Sequence, residues 1–328
     1  MNYILKHAYD DSNISYMEQN KVQKILNMYN LNIITVEKVR SVCKIYTDDG
    51  LFCLKEASNN RKKAMKSIKI IEHLKSQGFN NIANPYPSSI GSYFVKTKDS
   101  AYYLTDWIDA EEVNFSDNQH IIESSKLLAE FHKYAKGFKA DDIKITNQIG
   151  KWPTIFSNKI NFLNDIKEKL SLNQYIEDFD IMYQNSIDYF INEAQFSLHM
   201  LKHSEYESIC KHYNKEQQIC HNSFYYQNIL VDKNNKYYFI DLESCVYDFP
   251  FRDIGKLIMR ILDKKENLWN FQLCKDILNA YNSVKTIEEN EYKAILPLII
   301  FPYKFYKIGQ KKYIKKKTVN PPSPAIPK

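Results

Sequence analysis

Two short apolar runs constrain this chain more than any other feature. Ile229-Leu230-Val231 and Tyr237-Tyr238-Phe239-Ile240 are β-prone, and Asp232 to Lys236 between them is turn-forming, so they predict a hairpin. Asn228 heads the first run and Asp241 ends the second. A hairpin brings those ends together and sets an amide oxygen beside a carboxylate, two hard oxygen ligands suited to Mg²⁺. A carboxylate directly after a buried strand is costly without a partner, so Asp241 is expected to have one.

The N-terminal part supplies what such a pair would need. The first thirty or so residues read as helical, with Val22, Ile25, Leu26 and Met28 on a loose apolar face. From Ile33 to Tyr46 the residues are β-prone, Asp48-Asp49-Gly50 marks a turn, and Leu51 to Lys55 reads as the next strand. A helix is expected from about Asn60 to Gln77, with Ala64, Ile68, Ile71 and Lys75 on one face and Gly78 as its stop. Phosphoryl transfer asks little covalent help of a protein; it needs metal ions against the phosphate charge and a lysine to orient the nucleotide. Lys55 ends an apolar strand, and Glu72 lies one turn on from Ile68, so Glu72 is the carboxylate expected to pair with Lys55. Lys55, Glu72, Asn228 and Asp241 are therefore the expected nucleotide–Mg²⁺ residues.

The second half is helical apart from the hairpin. Ser116-x-x-Gln119 has the form of a capping box before a helix from Ile121 to Tyr134. A longer helix is predicted from Phe179 to Leu201. Trp152, Phe156, Tyr175 and Tyr183 have the spacing of core residues or of pocket walls. The resulting class is α+β with two lobes: a helical extension over 1–30, a β-rich N-lobe over 31–105 and a helical C-lobe over 106–317 that carries the hairpin segment 221–243. Residues 318–328, with four prolines, read as a disordered tail.

Composition excludes some classes. Six cysteines form no Cys-x-x-Cys pair, which argues against a zinc or redox motif and for a reducing compartment. No signal peptide or membrane-spanning stretch is legible, so synthesis in the cytoplasm is expected. Net charge is +6, and Lys307, Lys311, Lys312, Lys315, Lys316 and Lys317 cluster near the C-terminus. Such a cluster is either a solvated helix end or a contact for an anionic surface. No nucleic-acid motif accompanies it.

The motifs now point to a family. His221 to Leu230 resembles the His-Gly-Asp-x-x-x-x-Asn-Ile-Leu loop of aminoglycoside phosphotransferase and choline-kinase-like enzymes. Phe239 to Glu243 resembles their Ile-Asp-Phe-Glu metal segment, Pro250-x-x-Asp253-Ile254 their Pro-x-x-Asp-Leu element, and Leu127 to His132 their Leu-Ala-x-Leu-His helix. Within that superfamily the chain is most similar to the CotS family of spore-coat-associated kinase-like proteins, in Tyr102 to Ile108, Gln77-Gly78-Phe79 and Phe301 to Tyr306. The resemblance implies a protein-kinase-like fold, ATP with Mg²⁺, a spore-coat location and other coat proteins as partners. It puts His221 and Ser223 at catalytic positions and gives Asp253 the task of bracing the loop through backbone N–H groups.

The chain departs from that pattern at one decisive place. Ser223 stands where the family has its catalytic aspartate, and Asn222 replaces the glycine before it. A serine hydroxyl stays protonated near pH 7 and is a poor base. Asn222 is the next most tolerant residue where φ must be positive. Two readings follow: a degenerate phosphotransferase that still holds ATP–Mg²⁺ and acts in coat assembly, or an active enzyme that phosphorylates a hydroxyl with another group as base.

Overall fold

The computed structural model describes residues 16–57, 61–98, 100–140, 142–172 and 177–315. In chain order the elements begin with α1 (Tyr16–Leu26), β1 (Ile33–Val39), β2 (Val42–Thr47), β3 (Gly50–Glu56) and α2 (Arg61–Ser76). Next come β4 (Pro85–Tyr86), β5 (Val95–Lys96), β6 (Ala101–Asp106), β7 (Glu111–Glu112) and α3 (Asn118–Tyr134). They continue with α4 (Trp152–Leu172), α5 (Asp178–His203), α6 (Tyr206–Glu216), β8 (Ile219–Cys220), β9 (Ile229–Val231), β10 (Tyr237–Phe239) and β11 (Val246–Tyr247). The helices α7 (Phe251–Leu262), α8 (Phe271–Asn282), α9 (Glu289–Ile300) and α10 (Tyr303–Gly309) complete the order.

The chain divides into two compact units. One holds the residues up to Ile145 together with Ser223–Cys245; the other holds Thr146–Asn222 together with the chain from Val246. The sequence reading assigned α3 and the hairpin to the second lobe. By contacts both fall in the first unit: the Phe239 N–H donates to the Asn81 carbonyl at 3.1 Å, and Asn81 Nδ2 donates to the Tyr237 carbonyl at 2.7 Å.

The first unit is built on an antiparallel sheet ordered β1-β2-β3-β6-β4, with β5 also on β6. Strand alternation puts Cys43 and Ile45 of β2 inward, where they meet Phe52, Leu54, Tyr102 and Leu104. Ala64 and Ile68 of α2 are buried with Tyr103 and Phe94 in a second cluster. The predicted hairpin forms as β9 and β10, registered Ile229 to Phe239 and Val231 to Tyr237. Its turn is fixed by Asp232, whose Oδ1 accepts the N–H groups of Asn234 at 2.8 Å and Lys236 at 2.9 Å. Phe239 is fully buried, with Phe79 and Phe131 at ring distances of 5.2 and 5.0 Å. The expected cap at Ser116 is replaced by Asp117, whose side chain accepts the N–H of Gln119.

The second unit is a helical assembly. Trp152, Phe156 and Tyr183 are core residues rather than pocket walls: all are at most 2% exposed. Phe156 lies 4.2 Å from the Phe301 ring, and Tyr183 stacks on Phe305 at 4.1 Å. Tyr175, the first fifteen residues and the expected tail lie outside the described residues. The apolar face of α7 (Ile254, Leu257, Ile258, Ile261) is fully buried, and it packs on α9 where Gly255 meets Leu298. Four buried aliphatic side chains at roughly 1.5–3 kcal/mol each anchor this helix firmly. All six cysteines are free thiols. Among the described residues no helix is long and apolar enough to cross a membrane.

Candidate functional site

The first unit holds the expected nucleotide–metal residues. Because Ile229 pairs with Phe239, Asn228 stands opposite Ile240, and the Ile240 N–H donates to the Asn228 carbonyl at 3.0 Å. The hairpin therefore delivers Asn228 and Asp241 to one end. Asn228 is 6% exposed, and its Nδ2 donates to the Ser223 carbonyl at 2.9 Å. That bond fixes the amide and leaves Oδ1 as the atom that could meet a cation. Ser223 Oγ lies 3.4 Å from the same Nδ2, so the serine hydroxyl and the amide share one corner of the loop.

Asp241 adopts φ 64° and ψ 72°, a left-handed conformation uncommon for a residue with a side chain. Its Oδ1 reaches the Glu243 N–H at 3.4 Å. The sequence argument expected a buried carboxylate. Asp241 is instead exposed, because the left-handed turn swings it out just past the buried Phe239. An exposed carboxylate costs no desolvation and keeps its oxygens available to a cation.

Three lysines face these carboxylates. The Glu243 carboxyl is pushed up by burial and by the Asp241 charge, and held down by Lys55, Lys63 and Lys66. Lys55 on β3 pairs in register with Tyr103 on β6. The buried Tyr103 hydroxyl is pushed up by burial and then by Glu243, Cys53 and Asp241. Lys66 of α2 donates to the Cys245 carbonyl at 2.9 Å, which ties this helix to the segment after Asp241. Burial pulls the Lys66 ammonium down, while Cys245, Glu243 and Asp241 act to keep its proton.

The expected Lys55–Glu72 pair does not form. Glu72 accepts from the Tyr93 hydroxyl and lies 3.9 Å from Lys69, at the margin of α2 rather than on its buried face. The carboxylate whose charge meets Lys55 is Glu243. Lys63 and Lys66 thus join the candidate site beside Glu243, a placement that sequence reasoning missed. The i, i+3 lysine spacing ahead of the buried Ile68 was a signal for the first two.

The second unit shapes the loop leading into Ser223. Asn222 has φ 64°, the left-handed geometry that its replacement of glycine requires. Asp253, 1% exposed, accepts the His221 N–H at 2.6 Å through Oδ2 and the Asn222 N–H at 2.8 Å through Oδ1. It sits in the first turn of α7, after the N-cap residue Pro250. The Asn222 side-chain oxygen accepts from Arg252 Nε at 3.1 Å and Lys256 Nζ at 2.5 Å. His221 is fully buried. Asp248 accepts from Trp152 Nε1 at 3.1 Å and from Arg252, so it is a structural carboxylate.

A kinase-like fold of the small-molecule phosphotransferase type is what this sheet, hairpin and braced loop define, and solved structures agree. An aminoglycoside phosphotransferase from Alicyclobacillus acidocaldarius matches with a TM-score of 0.79 at 20% identity, covering 91% of this chain and 87% of that one. The amicoumacin kinase hAmiN, in complex with AMP-PNP, Ca²⁺ and Ami, matches with a TM-score of 0.61 at 13% identity, covering 93% and 89%. Spore coat protein S of Bacillus subtilis (strain 168) is 25% identical over 311 residues, 92% of this chain and 86% of that protein. The family described as "Spore coat putative kinase YutH" matches residues 22–321, and the chain belongs to that spore-coat family.

Proposed function

We propose that this chain is a degenerate phosphotransferase of the spore coat, which holds ATP with Mg²⁺ and serves coat assembly rather than rapid phosphate transfer. The observation that carries this reading is Ser223, a poor base near neutral pH, at the head of a loop that keeps His221 and Asn228. Loss of a general base costs on the order of a hundred- to ten-thousandfold in rate.

The donor set fits Mg²⁺. Asn228 Oδ1 is oriented by the bond from its own Nδ2 to Ser223, and Asp241 offers exposed carboxylate oxygens. Bound there, Mg²⁺ would neutralise phosphate charge. Lys55 would orient the nucleotide, with Lys66 holding α2 beside the metal segment. Glu72, engaged by Tyr93 and Lys69, takes no part in this reading. His221 and Asp253 would set the loop. Amicoumacin kinase, a structural neighbour, holds AMP-PNP with Ca²⁺, which supports a nucleotide–metal site on this fold. Coat proteins are the proposed partners, in keeping with the family.

The alternative is an active enzyme that phosphorylates a hydroxyl of a small molecule or coat component, and the intact metal pair favours it. Single-turnover consumption of ATP, compared between wild type and Ser223→Asp, tests the two. The degenerate reading expects the variant to be faster by about a hundredfold or more. Equal rates at an enzymatic level would establish the active enzyme instead.

A further inference from the structure

The second unit carries a row of cations that the nucleotide reading does not use. The chain's arginines are Arg40, Arg61, Arg252 and Arg260, and two of them lie on α7. Arg252, Lys256 and Arg260 follow at i, i+4 and i+8, so they share one face of α7. Like charges at this spacing repel and destabilise a helix. Here two of them also converge on one neutral atom, since Arg252 Nε and Lys256 Nζ both donate to Asn222 Oδ1.

Lysines of the neighbouring helices α4 and α10 add to the positive charge. Lys159 of α4 lies over the rings of Tyr303 and Tyr306, with its ammonium 5.0 and 5.3 Å from their centres. The charges acting on Lys159 are Arg252 and Lys307, both positive, and the charge acting on Lys307 is Arg260. The carboxylates that act on Lys256 are Asp253 and Asp248. Both are already committed, Asp253 to the two loop amides and Asp248 to Arg252 and Trp152.

We infer that Lys159, Arg252, Lys256, Arg260 and Lys307 form a binding site for a phosphate group, carried by a phosphorylated small molecule. Several cations ordered on neighbouring helices suit a dianion. Lys159 and Lys256 are half-buried, so an anion reaching them from solvent meets little screening. Burial and then the positive neighbours pull Lys256 down to about 7 and Lys159 down to about 8. A bound dianion would reverse those shifts, so binding should take up protons.

Titration calorimetry of the full chain with inorganic phosphate tests this, with EDTA present so that the metal residues take no part. The expected result is saturable binding at concentrations up to about 10 mM, with an enthalpy at pH 7.5 that varies with the ionisation enthalpy of the buffer. Lys159→Gln combined with Lys307→Gln should weaken binding about tenfold or more, whereas Lys159→Arg should keep it. A measurement on wild type alone guards against misfolded variants: phosphate should slow amine acetylation of Lys159 and Lys307 several-fold, read by mass spectrometry. Absence of binding, binding unaltered in the folded double variant, or labelling unaffected by phosphate would each overturn the inference.

Discussion

Replacing Asp253 by alanine should release the loop that leads into Ser223. Asp253 accepts two backbone N–H groups, at 2.6 and 2.8 Å, from a position that is 1% exposed. Hydrogen bonds to a charged group contribute about 1.5–3 kcal/mol each, so the pair contributes roughly 3–6 kcal/mol gross. Part of that returns, because Asn222 is half-exposed and water can reach its amide. The amide of His221 lies in a fully buried residue and regains little. The expected net loss is about 3 kcal/mol, which for a unit of this size lowers Tm by roughly 6–12 °C. Hydrogen exchange gives the local readout. The His221 and Asn222 amides should exchange on the order of a hundredfold faster in Asp253→Ala, with the amides of β2 and β3 unchanged. Asp253→Asn keeps one acceptor and should fall between the two. If the two loop amides exchange in Asp253→Ala within about threefold of their wild-type rates, the bracing role is wrong.

Other consequences are equally direct. A Cβ on Gly309 would run into the Tyr183 hydroxyl oxygen and lie 2.8 Å from its ring, so Gly309→Ala should cost about 2–4 kcal/mol in denaturant unfolding, and Tyr183→Phe in the same chain should recover part of it. Lys256 has its folded pKa at about 7, below its unfolded value. Stability should therefore rise as pH increases from about 7 towards about 10, by about 2 kcal/mol after solvent screening, and Lys256→Met should flatten that rise. Glu72→Gln should change stability by under about 1 kcal/mol and leave nucleotide affinity alone, because its ion pair is exposed. Lys66→Met, which frees the Cys245 carbonyl and removes a cation from Glu243 and Asp241, should weaken ATP–Mg²⁺ affinity about tenfold by calorimetry.

The sequence carried the hairpin because its signals are local. Short β-prone apolar runs and an Asp-initiated turn specify it without reference to the rest of the chain. With the hairpin came Asn228 and Asp241 at a common end. Glu72 failed as the partner of Lys55 for a reason of helix geometry. Residues four apart share a face only approximately, and position 72 falls at the margin, where Tyr93 and Lys69 engage it. Lys66 was only half legible: its spacing from Lys63 marks it, but its partner is a main-chain carbonyl, which leaves no side-chain signature. Asp241 was misjudged as buried because its left-handed backbone is set by the turn that follows the strand, not by the strand. Asp253 is the intermediate case. The resemblance gave its task, and the geometry supplies two amides and their distances.

The central claim is that a nucleotide–metal site persists on a chain whose base position is Ser223. Calorimetric titration of the full chain with ATP, with and without Mg²⁺, compared between wild type and Asp241→Ala, addresses it most directly. The account predicts that wild type binds ATP more tightly with Mg²⁺ than without, and that Asp241→Ala abolishes the Mg²⁺-dependent gain. Wild type that binds no ATP, or an Asp241→Ala variant that keeps the full Mg²⁺-dependent gain, would contradict it.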